Sequence, residues 1–381
     1  MSSRELLQAE VAVIGAGVVG AATALELARS GASVTLLEAE PEPALQASGT
    51  NSGILHTGFD SPPGELETEL ILRAGKLREP VMKTLGVPVI RCGALMRPLA
   101  SGDAEAIAAL ASNAMRNGVQ ATLRHDGALE VPGESITDPV AFTLALVASA
   151  RAQGAELRSG FEVTSLSPDR GEMDVESARG ERVRCRVVVN CAGLGAGRVA
   201  RFAGDDSFDV YPRKGEFLVF DSPETASLGR ILLPVPSQTT KGVLVFPTVD
   251  GKVVAGPTAI DQEDPDDWSV RPAARREIMP KAGTIYPPIS GLEPSGAYAG
   301  LRPAGRGVNY VIARSSTSPQ LVNAAAIRST GLTASLAIAE RIAGLVTEAG
   351  VALGDRAPLT TGTAAGVSGP WWRRTADYRA G

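Results

Sequence analysis

The stretch that decides the fold reads Glu10-Val-Ala-Val-Ile-Gly15-Ala-Gly17-Val-Val-Gly20. Its apolar first half predicts a buried strand, and the apolar residues from about Val18 to Arg29 predict a helix directly after the glycines. The run Ser33-Val-Thr-Leu-Leu-Glu38 predicts a second strand. A strand, a glycine-rich turn, a helix and a second strand are, in this order, typical of the start of a dinucleotide-binding βαβ unit.

Each glycine of this turn has a separate task in such a unit. Gly15 permits the tight turn, Gly17 lets backbone N–H groups approach a pyrophosphate, and Gly20 lets the helix lie close to the strand. The positive end of the helix dipole then faces the anion. Glu38 is placed to accept hydrogen bonds from an adenosine ribose and would repel a 2′-phosphate, so FAD or NAD fits better than NADP. The alternative is an ordinary turn at the start of a helix.

The composition is that of a globular protein long enough for two domains. Of the 381 residues, 44% are hydrophobic and 21% are charged, and the net charge is −5. An acidic chain argues against a broad surface for nucleic acid or anionic lipid, although a local cluster of Arg and Lys can still bind a small anionic substrate. Cys92, Cys185 and Cys191 are odd in number and lack metal-ligand spacing, so we expect neither a disulfide framework nor a metal site.

The sequence also predicts where the protein acts. Near the N-terminus no basic segment leads into an uninterrupted apolar stretch, as a secretion signal would require. No uncharged apolar run reaches the ~18 residues of a membrane-spanning helix. The few cysteines suit a reducing compartment. We therefore expect a cytoplasmic protein, and peripheral contact with a membrane stays open.

A second glycine-rich stretch follows the βαβ start, Ala47-Ser-Gly-Thr-Asn-Ser-Gly-Ile-Leu-His56-Thr-Gly58. Small residues allow the backbone to lie against a flat ligand and to donate N–H groups to it. A flexible surface loop is the alternative. A single histidine is more often structural than catalytic, but the position of His56 at the end of this stretch favours a role in chemistry.

Helical periodicity and capping residues predict further helices. Asp103 is the predicted N-cap of a helix to Asn117, and Asp138 with Pro139 opens a helix that runs to about Gln153. The N-terminus of a helix at Gly331 supplies free N–H groups and a positive dipole. The tail beyond Gly354 is expected to be loosely held, and residues 366–381 are its C-terminal part. The other predicted helical ranges are residues 64–85, 272–284 and 331–349.

The strand patterns predict two domains of different character. Residues 155–190 look like a β-meander that ends in Val187-Val-Val-Asn-Cys-Ala-Gly193, whereas prolines and alternating strands between residues 205 and 300 indicate an antiparallel sheet. The predicted fold class is α/β (α+β), with a Rossmann-like dinucleotide-binding domain and an antiparallel-sheet substrate-binding domain. The first domain comprises residues 1–79, 137–204 and 298–365, and the second comprises residues 80–136 and 205–297.

Four motifs spread over most of the chain resemble the FAD-dependent oxidoreductases that include D-amino acid oxidase, glycerol-3-phosphate dehydrogenase and L-2-hydroxyglutarate oxidase. The second and fourth motifs are closer to the latter two enzymes than to the amine oxidases. The motifs are Gly15-Ala-Gly17-Val-Val-Gly20 with Glu38, Ser48-Gly-Thr-Asn-Ser-Gly-Ile-Leu-His56-Thr-Gly58, Val188-Val-Asn-Cys-Ala-Gly193, and Gly300-Leu-Arg-Pro303 with Ile327-Arg-Ser-Thr-Gly-Leu-Thr-Ala-Ser335.

The resemblance implies an extended, non-covalently bound FAD. Its adenosine would lie near Glu38 and Val163, and its pyrophosphate at residues 15–20. The isoalloxazine would lie beside residues 51–56, with residues 331–333 at its pyrimidine edge. The implied cofactor-binding residues are Gly15, Gly17, Val18, Val19, Gly20, Glu38, Ala39, Ser48, Gly49, Asn51, Ser52, Gly53, Ile54, Val163, Ala192, Gly193, Gly300, Arg302, Gly331, Leu332 and Thr333.

By the same resemblance, the reaction is the two-electron oxidation of a carbon that bears OH or NH₂, with hydride passing to flavin N5. His56 is the candidate base, and Arg302 is the candidate for binding a substrate carboxylate or phosphate through its planar fork. Lys214, Tyr211 and Tyr310 are further candidates for substrate contacts. The alternatives are a structural ion pair for Arg302, a solvent-facing lysine, and tyrosines of the core.

The expected substrate is a small 2-hydroxy acid resembling L-2-hydroxyglutarate, with glycerol 3-phosphate second. An amine or amino-acid oxidase on the same fold is the nearest alternative. A flavin-binding electron-transfer subunit without a substrate of its own is an alternative from another class. The sequence leaves open whether the electron acceptor is oxygen, a quinone or another carrier.

Overall fold

The computed structural model describes residues 6–236, 242–364, 366 and 369–380. The helices are α1 (Val18–Arg29), α2 (Leu66–Thr84), α3 (Asp103–Arg116), α4 (Pro139–Ala152), α5 (Ala196–Phe202), α6 (Pro272–Ile285), α7 (Gly331–Glu348) and α8 (Trp371–Ala380). The strands are β1 (Leu6–Ile14), β2 (Val34–Glu38), β3 (Ile54–Leu55), β4 (Val89–Ile90), β5 (Ala94–Met96), β6 (Thr122–Leu123), β7 (Leu129–Val131), β8 (Ser135–Thr137), β9 (Glu156–Ser159), β10 (Val163–Asp169), β11 (Glu172–Ser177), β12 (Arg182–Asn190), β13 (Val210–Phe220), β14 (Ile231–Leu233), β15 (Leu244–Pro247), β16 (Val253–Gly256), β17 (Ile260–Asp261), β18 (Gly296–Gly305), β19 (Val311–Arg314) and β20 (Leu321–Ala325).

The first sheet is built around β1. This strand pairs in parallel with β2 on one side and with β12 on the other. β9 extends the sheet in parallel beside β2, and β20 does so beside the end of β12. β10, β11 and β12 form the predicted antiparallel meander. The expected mixed α/β fold class is therefore confirmed, although β9, which we expected in the meander, pairs with β2 instead.

Both faces of the second half of β1, residues 11–14, are buried, which explains why these residues are all apolar. Val11 and Val13 pack with residues of α1, α4 and α7, whereas Ala12 and Ile14 pack with residues of β11, β12 and α5. The side chains alternate between the two faces because a strand has a period of two residues. The glycine turn after Ile14 is thus held between two packed layers.

The predicted helices are confirmed, close to the predicted ends. Asp138 caps α4 as expected, and its Oδ1 accepts hydrogen bonds from the N–H groups of Val140 and Ala141 at 2.8 and 2.9 Å. The N-cap of α3 is Gly102, with a φ of +94°, so the prediction that Asp103 caps this helix is wrong. Within the described ranges, no helix is long and apolar enough to cross a membrane.

The second sheet is almost entirely antiparallel. Its strands follow the order β17-β13-β16-β15-β14-β5-β7-β6, and β18 also pairs with β13. α6 covers one face of this sheet, and residues of α3 and α8 belong to the core on the other face. The pairing of β14 with β5 is parallel. It joins the two parts of the predicted second domain, because β5 lies in residues 80–136 and β14 lies in residues 205–297.

Three of the predicted domain boundaries fall inside elements of the structure, and one of these, between residues 136 and 137, lies inside β8. The boundary at residues 79 and 80 lies inside α2, which continues to Thr84 and packs on α7. The boundary at residue 298 lies inside β18, which pairs with β13 from Val210↔Gly305 to Val219↔Gly296. β18, and with it Gly300 and Arg302, therefore belongs to the antiparallel sheet rather than to the first domain.

The expectation of a loosely held tail is wrong for the part of residues 366–381 that the structure describes. Trp371 and Trp372 of α8 are only 2% and 8% exposed. The ring of Trp371 meets the ring of Tyr298 edge-on, with 5.7 Å between the centroids. Glu40 pairs with Arg379 and accepts a hydrogen bond from Tyr378 at 2.8 Å. α8 thus connects the antiparallel sheet to the segment after β2.

Loss of the Trp371 side chain should release α8. Removing a large buried aromatic side chain costs about 3–5 kcal/mol, and a helix of this length is marginal in water without tertiary packing. We expect Trp371→Ala to make Arg373 and Arg374 much more accessible to trypsin, as measured by the rate of cleavage in mass spectrometry. Asp377→Ala, at an exposed position of the same helix, is the control. Equal cleavage of both variants would contradict the packing described for α8.

Candidate functional site

A cavity of about 1230 Å³ is lined by residues of both large sheets. It exceeds the volume of roughly 300–1,000 Å³ that is typical of small-ligand sites, and it has room for an extended dinucleotide. The predicted site residues that line it are Gly15, Gly17, Val18, Val19, Glu38, Ala39, Ser48, Asn51, Ser52, Ile54, His56, Val163, Ala192, Gly193, Gly300, Arg302, Gly331 and Leu332.

Four further predicted cofactor residues lie behind this lining. A Cβ at Gly20 would overlap the carbonyl oxygen of Gly15, and Cβ atoms at Gly49 and Gly53 would likewise overlap backbone oxygens. The Oγ1 of Thr333 accepts a hydrogen bond from the N–H of His56 at 3.1 Å. These residues hold the lining segments close together.

The turn between β1 and α1 fits a phosphate group. Gly15 has a φ of +99°, and a Cβ there would lie 2.5 Å from the carbonyl oxygen of Cys191. Gly17, the N-cap residue of α1, has no side chain to cap the helix, and Gly17, Val18 and Val19 line the cavity, so the positive end of the helix lies at the cavity. The Oγ of Ser48 accepts a hydrogen bond from Val18 N at 2.9 Å and connects the second glycine-rich stretch to this turn.

Glu38 has a structural task beside its place in the cavity lining. Its Oε2 accepts a hydrogen bond from Ala16 N at 2.6 Å, and its Oε1 accepts one from Glu40 N at 2.9 Å. Burial raises the pKa of Glu38, while these two hydrogen bonds favour its ionised form. The carboxylate of Glu38 thus fixes the shape of the glycine turn. Its hydrogen bond to an adenosine ribose stays a prediction.

The start of α7 forms another part of the lining. Ala326 and Ser329, just before the helix, have φ values of 53° and 69°. Non-glycine residues in this conformation cost about 1–3 kcal/mol and are concentrated at functional sites. Tyr310 supports this turn from behind, because its hydroxyl is hydrogen-bonded to Thr330 Oγ1 at 2.7 Å. Tyr310 is 4% exposed, does not belong to the described lining, and so is not placed to contact a substrate.

His56 reaches the cavity next to a carboxylate that sequence reasoning missed. Its Nδ1 lies 3.0 Å from Oε2 of Glu134, whose side chain is completely buried. Thr57 donates from its N–H and its Oγ1 to Oε1 of Glu134, at 2.7 and 2.8 Å. The two residues meet because Leu55 of β3 pairs with Ser135 of β8 in an antiparallel ladder.

Arg302 lies in β18 with its guanidinium against Gly215 of β13. A Cβ at Gly215 would overlap that guanidinium, so only glycine leaves room for it. Its Nη1 donates to the carbonyl oxygen of Arg213 at 3.4 Å. Burial, with Arg213 and Arg328 nearby, lowers the pKa of Arg302 to about 10. Among the described residues, no carboxylate forms an ion pair with Arg302.

Lys214 is buried away from the described lining, which the sequence did not predict. Its side chain is 1% exposed, and its Nζ donates to Asp267 at 2.6 Å and to the carbonyl oxygen of Ser269 at 3.1 Å. The hydrogen bond from Lys214 lowers the pKa of Asp267 to about 2. Lys214 therefore holds the segment 262–271, which contributes Trp268 to the cavity wall, instead of facing a substrate.

Tyr211 also lies outside the described lining. The guanidinium of Arg306 lies over its ring, 4.7 Å from the centroid. Two wall residues that sequence reasoning missed are Trp268 and Arg379. The Arg379 guanidinium is 5.2 Å from the centroid of the Trp268 ring, so α8 and the segment 262–271 meet at the edge of the cavity. No sequence pattern connects these two positions.

The parallel sheet, its glycine turn and the long cavity define a dinucleotide-binding protein. Residues 10–345 match the family described as DAO, FAD dependent oxidoreductase. The chain therefore belongs to this family of FAD-dependent oxidoreductases, and its cofactor is FAD. Enzymes of this class need both a substrate and an electron acceptor.

Relatives of known activity are similar over most of the chain. A glycerol 3-phosphate dehydrogenase of Caloramator mitchellensis is 28% identical over 346 residues, which cover 86% of this chain and 72% of that protein. A mitochondrial L-2-hydroxyglutarate dehydrogenase of Bos taurus is 27% identical over 311 residues, which cover 72% and 67% of the two chains. The structure of the FAD-bound, dithionite-reduced L-α-glycerophosphate oxidase of Mycoplasma pneumoniae has a TM-score of 0.87 at 25% identity and covers 93% of this chain and 98% of that one.

The glycine turn allows a matched test of cofactor binding. Gly15→Ala and Gly31→Ala both place alanine at a positive φ, but only the Cβ at residue 15 meets other atoms within 4 Å. We expect Gly15→Ala to purify with little FAD and Gly31→Ala to retain it, as measured by the ratio of flavin to protein absorbance. If both variants bind FAD fully, the turn does not hold the cofactor.

Proposed function

We propose that this enzyme oxidises the CH–OH group of a small anionic alcohol, first of all a 2-hydroxy acid resembling L-2-hydroxyglutarate. When bound, FAD supplies the acceptor for a hydride. Residues of the chain bind the anion, orient the carbon that is oxidised and accept the hydroxyl proton. The observation that carries this proposal is the guanidinium of Arg302, which lines the cavity without a carboxylate partner among the described residues.

The charge around Arg302 favours an anion with two negative charges. Arg213 and Arg328 also line the cavity, and both lower the pKa of Arg302 by repulsion. Arg213 pairs with Asp261 at 2.5 Å, which leaves two guanidinium groups without an ion pair among the described residues. Arg302 is half-buried and Arg328 is exposed, so Arg302 gains more from a counter-ion, because a charge removed from water is stabilised by a partner of opposite charge. A dicarboxylate or a phosphate ester would supply it, and the planar fork of Arg302 can bind two oxygens at once.

His56 supports alcohol oxidation over amine oxidation. An alcohol must lose its hydroxyl proton as hydride leaves, whereas a neutral amine can be oxidised without a base for this step. Neutral imidazole can accept such a proton near pH 7. His56 lines the same cavity as Arg302, and its Nδ1 is occupied by Glu134. Non-covalent FAD belongs to the proposal, since Nδ1 of His56 already has this partner.

Glycerol 3-phosphate is the second candidate substrate. The relatives favour it, because the glycerol 3-phosphate dehydrogenase is matched over 72% of its length and the glycerophosphate oxidase structure over 98% of its length. Like a 2-hydroxy dicarboxylate, it has a secondary alcohol whose proton His56 would accept and an anionic group that Arg302 would bind. The two candidates differ in the distance between the alcohol carbon and the second anion.

The substrate class can be determined by bleaching of the flavin. The FAD-loaded protein should be mixed under anaerobic conditions with 2-hydroxy acids, glycerol 3-phosphate and amino acids, and its flavin absorbance followed. We expect rapid bleaching by an anionic alcohol. Bleaching by amino acids alone would establish an amine oxidase. Bleaching by dithionite but by none of these compounds would favour an electron-transfer subunit.

Arg302→Ala should weaken substrate binding more than it slows the saturated reaction. A hydrogen bond to a charged group contributes about 1.5–3 kcal/mol, or roughly a 10- to 150-fold change in the half-saturating concentration. The measurement is the anaerobic rate of flavin reduction as a function of substrate concentration. Arg314→Ala, at an exposed position of β19 outside the cavity lining, is the control. An unchanged half-saturating concentration in Arg302→Ala would remove this residue from substrate binding.

A further inference from the structure

We propose that Glu134 is the positioning residue for His56. Its buried carboxylate holds the imidazole in the tautomer that carries the proton on Nδ1, so that Nε2 is free to accept the hydroxyl proton of the substrate. This inference rests on the proposed function, because it assumes that His56 is the base.

The backbone pairing of β3 with β8 places His56 and Glu134 opposite each other. β3 and β8 pair in antiparallel register through Ile54↔Ile136 and Leu55↔Ser135. The next opposed residues are His56, directly after β3, and Glu134, directly before β8. Directly opposed side chains in an antiparallel ladder lie within contact distance of each other. The Nδ1 to Oε2 distance of 3.0 Å is that of a hydrogen bond.

The hydrogen bonds of Glu134 determine which nitrogen of His56 carries the proton. Oε1 accepts from the N–H and the hydroxyl of Thr57, and Oε2 faces Nδ1 of His56. A carboxylate can only accept, so the matching partner is an N–H at Nδ1. In a neutral imidazole the other nitrogen, Nε2, then has a free lone pair.

A second buried charge balances Glu134. Arg78 of α2 donates from Nη2 to the carbonyl oxygen of His56 at 3.0 Å. Burial lowers the pKa of Arg78 to about 10, while the attraction of Glu134 opposes this change. Arg78 is therefore still a cation at neutral pH. The carboxylate and the guanidinium stabilise each other without requiring a positive charge on His56.

The proton and the electrons balance in this arrangement. When bound, FAD would take up the two electrons of the substrate C–H bond as hydride, and Nε2 of His56 would accept the proton released as the O–H bond breaks. A C=O bond forms in the product. The imidazolium that results lies beside the carboxylate of Glu134, which stabilises it.

Other charged groups surround His56 and bear on its response to pH. Glu134 and Arg78 face it from the turn before β8 and from α2. The charged residues that line the same cavity are Asp60 on its own segment, Glu65 and Glu67 around the start of α2, Arg302 on β18 and Arg328 before α7. A single replacement at Glu134 leaves all of these unchanged.

The tautomer can be observed directly in the FAD-loaded protein. The chain contains only two histidines, His56 and His125, so ¹⁵N-labelled histidine gives two imidazole spin systems, which the His125→Gln variant assigns. At neutral pH we expect the His56 signals of a protonated Nδ1 and an unprotonated Nε2. A protonated Nε2 with a bare Nδ1 would overturn the proposal, whatever the substrate is.

The pH dependence of the reaction supplies the second test. In Glu134→Gln the imidazolium loses its counter-charge, so we expect anaerobic flavin reduction to slow by roughly 10²-fold or more. The pH of half-maximal rate should also move to lower values, because the carboxylate 3.0 Å from Nδ1, which stabilises the imidazolium, is gone. A role in packing alone would leave that midpoint unchanged. The control is Glu130→Gln, an exposed ion-pairing glutamate on the neighbouring strand β7.

The variants distinguish failure of this inference from failure of the proposed function. If His56→Ala reduces flavin at the wild-type rate, His56 is not the base and the proposed function fails on that point. If His56→Ala is slow but Glu134→Gln keeps both the wild-type rate and the wild-type midpoint, only the inference about Glu134 is overturned. A slow Glu134→Gln with an unchanged midpoint also overturns it. Flavin content, measured in every variant, separates these outcomes from loss of FAD.

Discussion

The contact between Gly20 and the carbonyl oxygen of Gly15 is the constraint on which the rest of the site depends. Any Cβ at residue 20 would overlap that oxygen, so α1 can begin directly on the turn only because residue 20 is glycine. From this position α1 packs against α4 and α7. α7 in turn accepts the N–H of His56 at Thr333. One close backbone approach therefore orders both the glycine turn, which is proposed to bind phosphate, and the segment that carries the proposed base.

Features that depend on neighbours in the chain could be read from the sequence. The glycine turn, the Asp138 cap and the start of α7 are such features, because each needs only a few consecutive residues. Membership of a sheet is different, since it depends on a partner strand far away in the chain. The sequence predicts Gly300-Leu-Arg-Pro303 as a motif of the first domain, and its residues could not indicate that β18 pairs with β13 along its whole length. The pairing of His56 with Glu134 depends on the same kind of distant register.

Lys214 on β13 shows why the sequence could not predict the surroundings of this charged residue. Lys214 and Glu216 are two residues apart, so they lie on the same face of the strand. This spacing does not tell whether that face is exposed or buried. Both are buried, and they pair with Asp267 and Arg271 of the segment 262–271. A buried ion pair is recognised only when its partner is known. The sequence shows the charge of Lys214 but not the carboxylate that meets it.

The packing of α8 makes the cavity wall a joint product of segments far apart in the sequence. Gly15 of the glycine turn and Arg379 of α8 line the same cavity. Thr375 lies against Gly49, and Arg374 donates to the carbonyl oxygen of Ala44, so the second glycine-rich stretch also packs on that helix. α8 therefore closes the cavity against the segment 262–271 and also supports the second glycine-rich stretch. A substitution that displaces this helix would open the cavity from a distance, without altering the glycine turn.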